Sequence, residues 1–264
     1  MERNGRGKLA RTAAGTLVCP SMPDPIAELA ARLRDARSVV VLTGAGMSAE
    51  SGVPTFREAQ TGLWARYKPE DLATREAFAR NPRMVWQWYA WRRELVRHVE
   101  PHAGYRALVE LERRIPSFAV VTQNVDGLHR RAGSRHVVEL HGNLFVDLCF
   151  REGEKLDLVD PEGEPPACPH CGGPVRPGVV WFGENLPEEA LAECDALLSK
   201  CDVMLVVGTS GLVWPAAGLP GMARSHGAWV AEIGPDLTAI SETAHLSIRE
   251  KAGTALVALV EALA

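Results

Sequence analysis

No apolar run in this 264-residue chain approaches the ~20 residues that a membrane-spanning helix needs, so no span and no membrane partner are expected. A dominant charge is missing too. Acidic side chains number 33 against 29 basic ones, and the net charge of −4 supplies no general attraction to nucleic acid or to an anionic surface. There is no internal repeat and no low-complexity tract, and the N-terminal stretch lacks the apolar core of a secretory signal. Of the six cysteines, Cys19, Cys194 and Cys201 stand apart from the rest, which suits a reducing, cytoplasmic setting better than a disulfide scaffold. No convincing Ser or Cys nucleophile motif is present. A chain of this length and balance fits one large domain with a smaller lobe.

What is present begins after a basic opening. Met1–Ala14 carries Arg3, Arg6, Lys8 and Arg11 with one acid, and a Pro-rich joint runs from Cys19 to Pro25. Residues 1–24 read as a disordered tail, with a start at Met22 or a transit peptide as alternatives. The ordered chain then opens with a helix over Ile26–Leu33.

Ser38-Val-Val-Val-Leu-Thr43 is a β-branched run of the kind that fills a parallel strand buried on both faces. It leads into Gly44-Ala-Gly-Met-Ser-Ala49, which satisfies the G-x-G-x-x-G/A form of a dinucleotide loop. The first glycine permits a tight turn, the second lets backbone approach a pyrophosphate, and Ala49 allows close helix–strand packing. Chance can produce this pattern at a buried turn; the strand ahead of it favours phosphate binding.

An ordinary dehydrogenase unit would return to a second strand within ~30 residues and end it in an acid. Here a Trp/Arg-rich helical stretch intervenes, and the next clear strand is Ser117–Thr122. Residues of roughly 54 to 104 therefore read as an insertion that covers the cofactor. Val137–Leu140, Val203–Val207 and Ala228–Glu232 complete an open parallel α/β sheet, with Gly208-Thr-Ser210 as a second small-residue turn at its carboxyl edge. His141 lies in the run Val137–Asn143, just after a short β-type stretch. A histidine at a strand end is commonly a satisfied structural group, but one that shares a chain with a dinucleotide loop is a candidate base, since imidazole titrates near neutrality.

Five motifs in order resemble those of the sirtuins: Gly44–Arg57, Thr122-Gln-Asn-Val-Asp-Gly-Leu-His129, Leu140-His-Gly142, Val180-Trp-Phe-Gly-Glu184 and Gly208-Thr-Ser210. The likeness spans roughly residues 26 to 260. It implies an NAD-dependent protein-lysine deacylase, with a Rossmann-like large domain (about 25–55, 105–146 and 178–264) and a small helical, zinc-ribbon-like lobe (about 56–104 and 147–177). NAD would be consumed as a co-substrate, acyl-lysine proteins would be the substrates, and the chain would act as a monomer.

Carried over by motif, Gly44, Ala45, Gly46, Ser48, Gly208, Thr209 and Ser210 would hold the cofactor, as would Gly234 and Ala252. Phe56 would shield the ribose face, Arg57 would lie beside the cofactor, and Gln123, Asn124 and Asp126 would line the ribose and nicotinamide pocket. Asn124 and His141 are the implied catalytic residues. The acyl oxygen attacks ribose C1′ as nicotinamide leaves, and His141 then takes the proton that frees the 2′-oxygen. The products would be free lysine and O-acyl-ADP-ribose. Val180, Phe182, Gly183 and Glu184, with Gly211–Pro215 opposite, resemble the edges that hold substrate backbone; ordinary buried strands are the alternative.

Tyr89 and Arg92 lie at i and i+3 on the helical run Pro82–Arg97 and so share a face. Their Tyr-x-x-Arg pattern resembles the pair that marks the class III branch, which removes succinyl and malonyl groups. A guanidinium and a phenol suit a carboxylate; an ordinary solvated helix face is the alternative. Deacetylation without acidic preference, mono-ADP-ribosyl transfer, NAD hydrolysis and a silent NAD sensor are the competing functions.

The metal site departs from the family pattern of four cysteines. Cys149, Cys168 and Cys171 are present, but Glu152 stands at the fourth place. Glu152, His170 or water would complete a zinc site, or the lobe has lost its metal.

Overall fold

The computed structural model describes residues 24–54, 66–156 and 164–264. Its centre is a six-stranded parallel sheet of β1 (Ser38–Thr43), β2 (Ser117–Thr122), β3 (Val137–Glu139), β7 (Val203–Val207), β8 (Trp229–Ile233) and β9 (Leu246–Ile248), ordered β3-β2-β1-β7-β8-β9. Three shorter strands, β4 (Gly142–Cys149), β5 (Lys155–Leu156) and β6 (Val175–Val179), form a separate antiparallel sheet ordered β5-β4-β6. Within the large sheet the order reverses between β1 and β7, and the carboxyl ends at such a crossover open a crevice for ligands.

The apolar run of β1 explains its central place. Val39 and Val41 join one buried cluster while Val40 and Leu42 join another, so alternate side chains feed the two faces. The first face is covered by α1 (Pro25–Asp35), α6 (Ala103–Arg114) and α10 (Ala252–Ala262), the second by α8 (Glu188–Leu198) and α9 (Leu219–Ser225). Asp24 caps α1 through the N–H of Ile26 at 3.0 Å, with Pro25 in the first turn where its missing N–H costs nothing.

Two excursions leave this framework. The first follows the short α2 (Ala45–Ala49) and contains α3 (Pro69–Leu72), α4 (Arg75–Arg80) and α5 (Pro82–Arg97); α7 (Leu128–Ala132) links β2 to β3, and β4 to β6 make the second excursion. Helix α5 has the bounds that its sequence predicts, with Asn81 accepting from the N–H of Met84 at 3.1 Å as its cap. Val85, Trp88 and Tyr89 of α5 belong to the same buried cluster as α6 and α10. Arg93, on the next face, donates to Asp147 of β4 at 2.6 Å, and both side chains are buried. That ion pair clamps the two excursions together.

Some expectations need correction at their edges. β3 stops at Glu139, one residue early, and β8 covers Trp229–Ile233 instead of starting at Ala228. The sheet also has a sixth strand that the sequence pattern missed. β9 is only three residues long, and Glu232 of β8 anchors it by accepting from Ser247 at 3.2 Å and pairing with Arg249 at 2.9 Å.

Candidate active site

The two glycine turns meet at the β1/β7 crossover. The N–H of Gly46 donates to the carbonyl of Gly208 at 2.8 Å. A Cβ on Gly46 would stand 2.8 Å from Gly208 Cα, and one on Gly208, whose φ is +61°, would stand 2.4 Å from the nitrogen of Met47. Contact between the two loops therefore already demands these glycines, in addition to the approach of a phosphate. Ala49, expected at a helix–strand contact, is exposed; α2 turns Met47 and Ser48 inward instead. Gly44 is buried, Ala45 and Ser210 are exposed, and Gln123 donates to Thr209 at 2.9 Å across the crevice. Gly234 follows β8 and Ala252 opens α10, beyond the same carboxyl edge. Phe56 and Arg57 lie outside the described residues.

Beneath the loops is a closed polar centre. Asn124 Nδ2 donates to the carbonyl of Gly44 at 2.9 Å and to Ser48 Oγ at 2.8 Å. Ser48 in turn donates to Asp126 Oδ2 at 2.6 Å, and Asp126 Oδ1 accepts the N–H of Leu128 at 2.9 Å. With its proton committed to Asp126, Ser48 accepts from the Tyr105 hydroxyl at 3.1 Å. Burial raises the Asp126 carboxyl above its ordinary range, against the lowering by Ser48, Leu128 and Arg92. Burial also raises the phenol of Tyr105. Neither Tyr105 nor its bond to Ser48 carries a sequence signal.

A second chain of bonds runs from His129. Its Nε2 is 2.8 Å from Thr43 Oγ1, which donates to Thr122 Oγ1 at 2.8 Å, and Thr122 accepts the N–H of Asn124 at 3.1 Å. His129 Nδ1 is buried with no hydrogen-bond partner among the described residues, so the ring proton belongs on Nε2. Burial, reinforced by His102, lowers the His129 pKa to about 3, and the ring stays neutral.

His141 sits at the mouth of this centre. Its Nδ1 lies 3.0 Å from the carbonyl of Gln123, which can only accept, so Nδ1 carries the proton and Nε2 is the basic nitrogen. Burial lowers its pKa and the Gln123 bond opposes that shift. Its carbonyl accepts the N–H of Val180 at 2.8 Å, which ties the histidine to the segment after β6.

Tyr89 and Arg92 stand one turn apart on α5, the tyrosine buried and the arginine half-buried. Each is shifted chiefly by burial, the phenol upward and the guanidinium downward, and each acts on the other electrostatically; Asp126 also acts on Arg92. Burial of Tyr89 at 2% exposure takes the phenol off the solvated face of this helix. The Tyr89 hydroxyl accepts from Trp181 Nε1 at 3.0 Å, which leaves its own proton to donate. Arg92 also borders a small cavity whose other walls are Val53, Pro54, Trp91, Leu95 and Val96. Trp181 orients the phenol, a role invisible before the fold.

The reading of Val179–Glu184 and Gly211–Pro215 as ordinary buried strands is also overturned. β6 ends at Val179, and Phe182, Leu212 and Trp214 are 57%, 66% and 75% exposed. Gly183 is exposed at a φ of +85°. Glu184 differs from its neighbours, because its carboxylate is committed to Arg176, to Arg75 at 3.3 Å and to the N–H of Trp181 at 2.8 Å. It shapes the turn from within.

In the second excursion Cys149, Cys168, Cys171 and Glu152 offer ligand atoms that all lie within 4.8 Å of one another. Cys149 and Cys171 Sγ are 3.5 Å apart, close to the ~3.8 Å edge of a tetrahedron with ~2.3 Å zinc–sulfur bonds. Three thiols with a carboxylate suit zinc, which the large-sheet site has no part in holding. His170 is outside the cluster, with Nε2 3.9 Å from Glu154.

The family model described as the Sir2 family matches residues 44–215. An NAD-dependent protein deacylase of Ralstonia nicotianae is 53% identical over 235 residues, covering 89% of this chain and 95% of that protein. One from Aquifex aeolicus is 51% identical over 221 residues, covering 83% and 92%. Among solved structures, a Sir2 homolog–NAD complex aligns with a TM-score of 0.85 at 44% identity, covering 92% of this chain and 94% of that one. With the motifs, the parallel sheet and the cysteine cluster in agreement, the chain belongs to the Sir2 family: it is a sirtuin.

Proposed function

We propose that this sirtuin, an NAD-dependent protein-lysine deacylase, removes succinyl and malonyl groups in preference to acetyl. Acyl-lysine, NAD and water would give free lysine, nicotinamide and O-acyl-ADP-ribose. NAD supplies the ADP-ribosyl group that receives the acyl chain; the residues of this chain bind, orient and move protons. The loops at Gly44–Gly46 and Gly208–Ser210 flank the crevice where the nucleotide would lie. Asn124 is held by Gly44, Ser48 and Thr122, and Asp126 by Ser48 and Leu128, so both would face nicotinamide without rearrangement. His141 Nε2 would accept the ribose proton, with Nδ1 anchored on Gln123. The domain division inferred from the motifs is part of this reading, with α3–α5 and β4–β6 as the smaller lobe.

One observation supports the acyl preference: half-buried Arg92, one turn from buried Tyr89, walls a small cavity whose other lining residues, Val53, Pro54, Trp91, Leu95 and Val96, are apolar. A guanidinium at an apolar wall, with a phenol O–H on the same helix face, suits an aliphatic chain with a terminal carboxylate, whose burial without a cation would be costly. Acetyl-lysine offers that pair nothing, and a site built to bind a polar group discriminates against the analogue lacking it. Matched acetyl-, malonyl- and succinyl-lysine peptides, followed by mass spectrometry with NAD present, test the order. Arg92→Met should lower desuccinylation by at least ~10²-fold and spare deacetylation. Equal loss of both activities would make Arg92 structural and leave a general deacetylase.

A further inference from the structure

We infer that Glu152 is the fourth protein ligand of the zinc in the small lobe, giving a site of three cysteines and one carboxylate. The argument begins with two turns of matching construction. Cys149-Phe-Arg-Glu152-Gly153 closes with the N–H of Gly153 on the carbonyl of Cys149 at 2.8 Å, and Cys168-Pro-His-Cys171-Gly172 closes with the N–H of Gly172 on the carbonyl of Cys168 at 2.9 Å. Each ends in a left-handed glycine, at φ +72° and +69°. Glu152 therefore occupies in the first turn the place that Cys171 occupies in the second.

The strands hold these turns face to face. Cys149 is in register with Val175, the N–H of Phe150 donates to the carbonyl of Pro174 at 3.0 Å, and that of Cys168 donates to the carbonyl of Gly173 at 2.7 Å. Backbone N–H groups also point at the sulfurs: Glu152 N to Cys149 Sγ and Gly173 N to Cys171 Sγ, each at 3.4 Å. Such donors orient and stabilise thiolates as ligands. The longer glutamate side chain brings an oxygen into the same cluster that a cysteine would reach with sulfur. The alternative side chain, His170, is exposed and lies toward Glu154.

The ligands differ in their access to water. Cys149 and Cys168 are packed with Trp86, Leu156 and Val175, whereas Glu152 is exposed. Buried sulfur thus meets the metal from within, and the one hard oxygen ligand meets it from the solvent side. The zinc of this chain should exchange through the Glu152 side.

Zinc affinity of the full-length protein, measured by competition with a chromophoric chelator, tests the assignment. Glu152→Ala should bind zinc at least about tenfold more weakly, Glu152→Cys more tightly, and His170→Ala like the parent. Because Glu152 is on an exposed turn, these variants keep the packing beneath it. Cobalt(II) substitution counts ligands independently of affinity. The thiolate-to-cobalt charge-transfer band should rise by about one-third in Glu152→Cys, as three thiolates become four. Unchanged affinity and an unchanged cobalt spectrum in Glu152→Ala would overturn the ligand while leaving the zinc, as would weaker binding in His170→Ala. A parent protein that takes up neither zinc nor cobalt would overturn both.

Discussion

The polar centre under the nucleotide loops and the cysteine cluster of the small lobe are both sets of converging polar groups, but they are held by different means. Around Ser48 every hydrogen bond is answered by another protein group: Asn124 and Tyr105 donate to it, and it donates to Asp126. Folding alone completes that arrangement. In the small lobe three thiols and a carboxylate crowd within 4.8 Å, and as anions they repel one another unless a cation neutralises them. The comparison sets a polar centre completed by the protein's own groups against a lobe whose cluster would gain stability from a bound cation.

Removing the proposed base is the hardest test of preorganisation. His141→Ala should lose ~10²–10⁴-fold in turnover, with NAD affinity by calorimetry kept near the parent value because the loops do not depend on it. Turnover near the parent rate would remove His141 from the chemistry.

Acid should attack the polar centre next. His129 binds its proton at an ordinary pH when unfolded but only at about 3 when folded. The unfolded state therefore holds more protons between about pH 6.5 and 3. Stability contributed by neutral His129 is complete above that window and falls with decreasing pH by about 1.4 kcal/mol per unit. Denaturant melts of His129→Gln should show a shallower fall across the window; an identical slope would mean that His129 is protonated in the fold.

Chelation should act on the other region. A metal that binds only the folded lobe at 100 times its Kd contributes about 2.7 kcal/mol. Chelator should therefore speed amide exchange in β4 to β6 and around Trp86, which packs on Cys149 and Cys168. The Ser48 centre should keep its protection. Equal loosening of both regions would merge the two halves of the comparison.

The smallest effect is expected from Tyr105→Phe, which deletes one donor to Ser48 and leaves the ring in place. A single hydrogen bond is worth about 1 kcal/mol. Ser48→Ala should cost more, since it takes the donor from Asp126 Oδ2 and one of two acceptors from Asn124 Nδ2. If the two variants melt alike, Tyr105 gives Ser48 nothing.

Strands with dense apolar runs were legible before the fold: β1, β2 and β7 have the predicted bounds because burial on both faces demands an unbroken run of apolar side chains. Helix α5 was legible from its run between Pro82 and Arg97. β9 was not, since three residues carry no period and its partners Glu232 and Arg249 act across loops. The Tyr89–Arg92 pair was visible as i, i+3 spacing, but spacing cannot tell a buried face from a solvated one. Packing of α5 into the core decided that.

By itself the sequence determined the order of the motifs, the parallel sheet, the identity of His141 and Asn124 as candidates, and the absence of a fourth cysteine. These are local properties: the period of burial, the turn chemistry of glycine and the inventory of side chains. Tertiary structure decided that Gly46 and Gly208 touch, that Tyr105 donates to Ser48, that Trp181 orients Tyr89 and that Glu152 stands beside three sulfurs. Each of these joins residues from separate segments, and only the packed chain brings such atoms within the ~3 Å reach of a hydrogen bond or ligand.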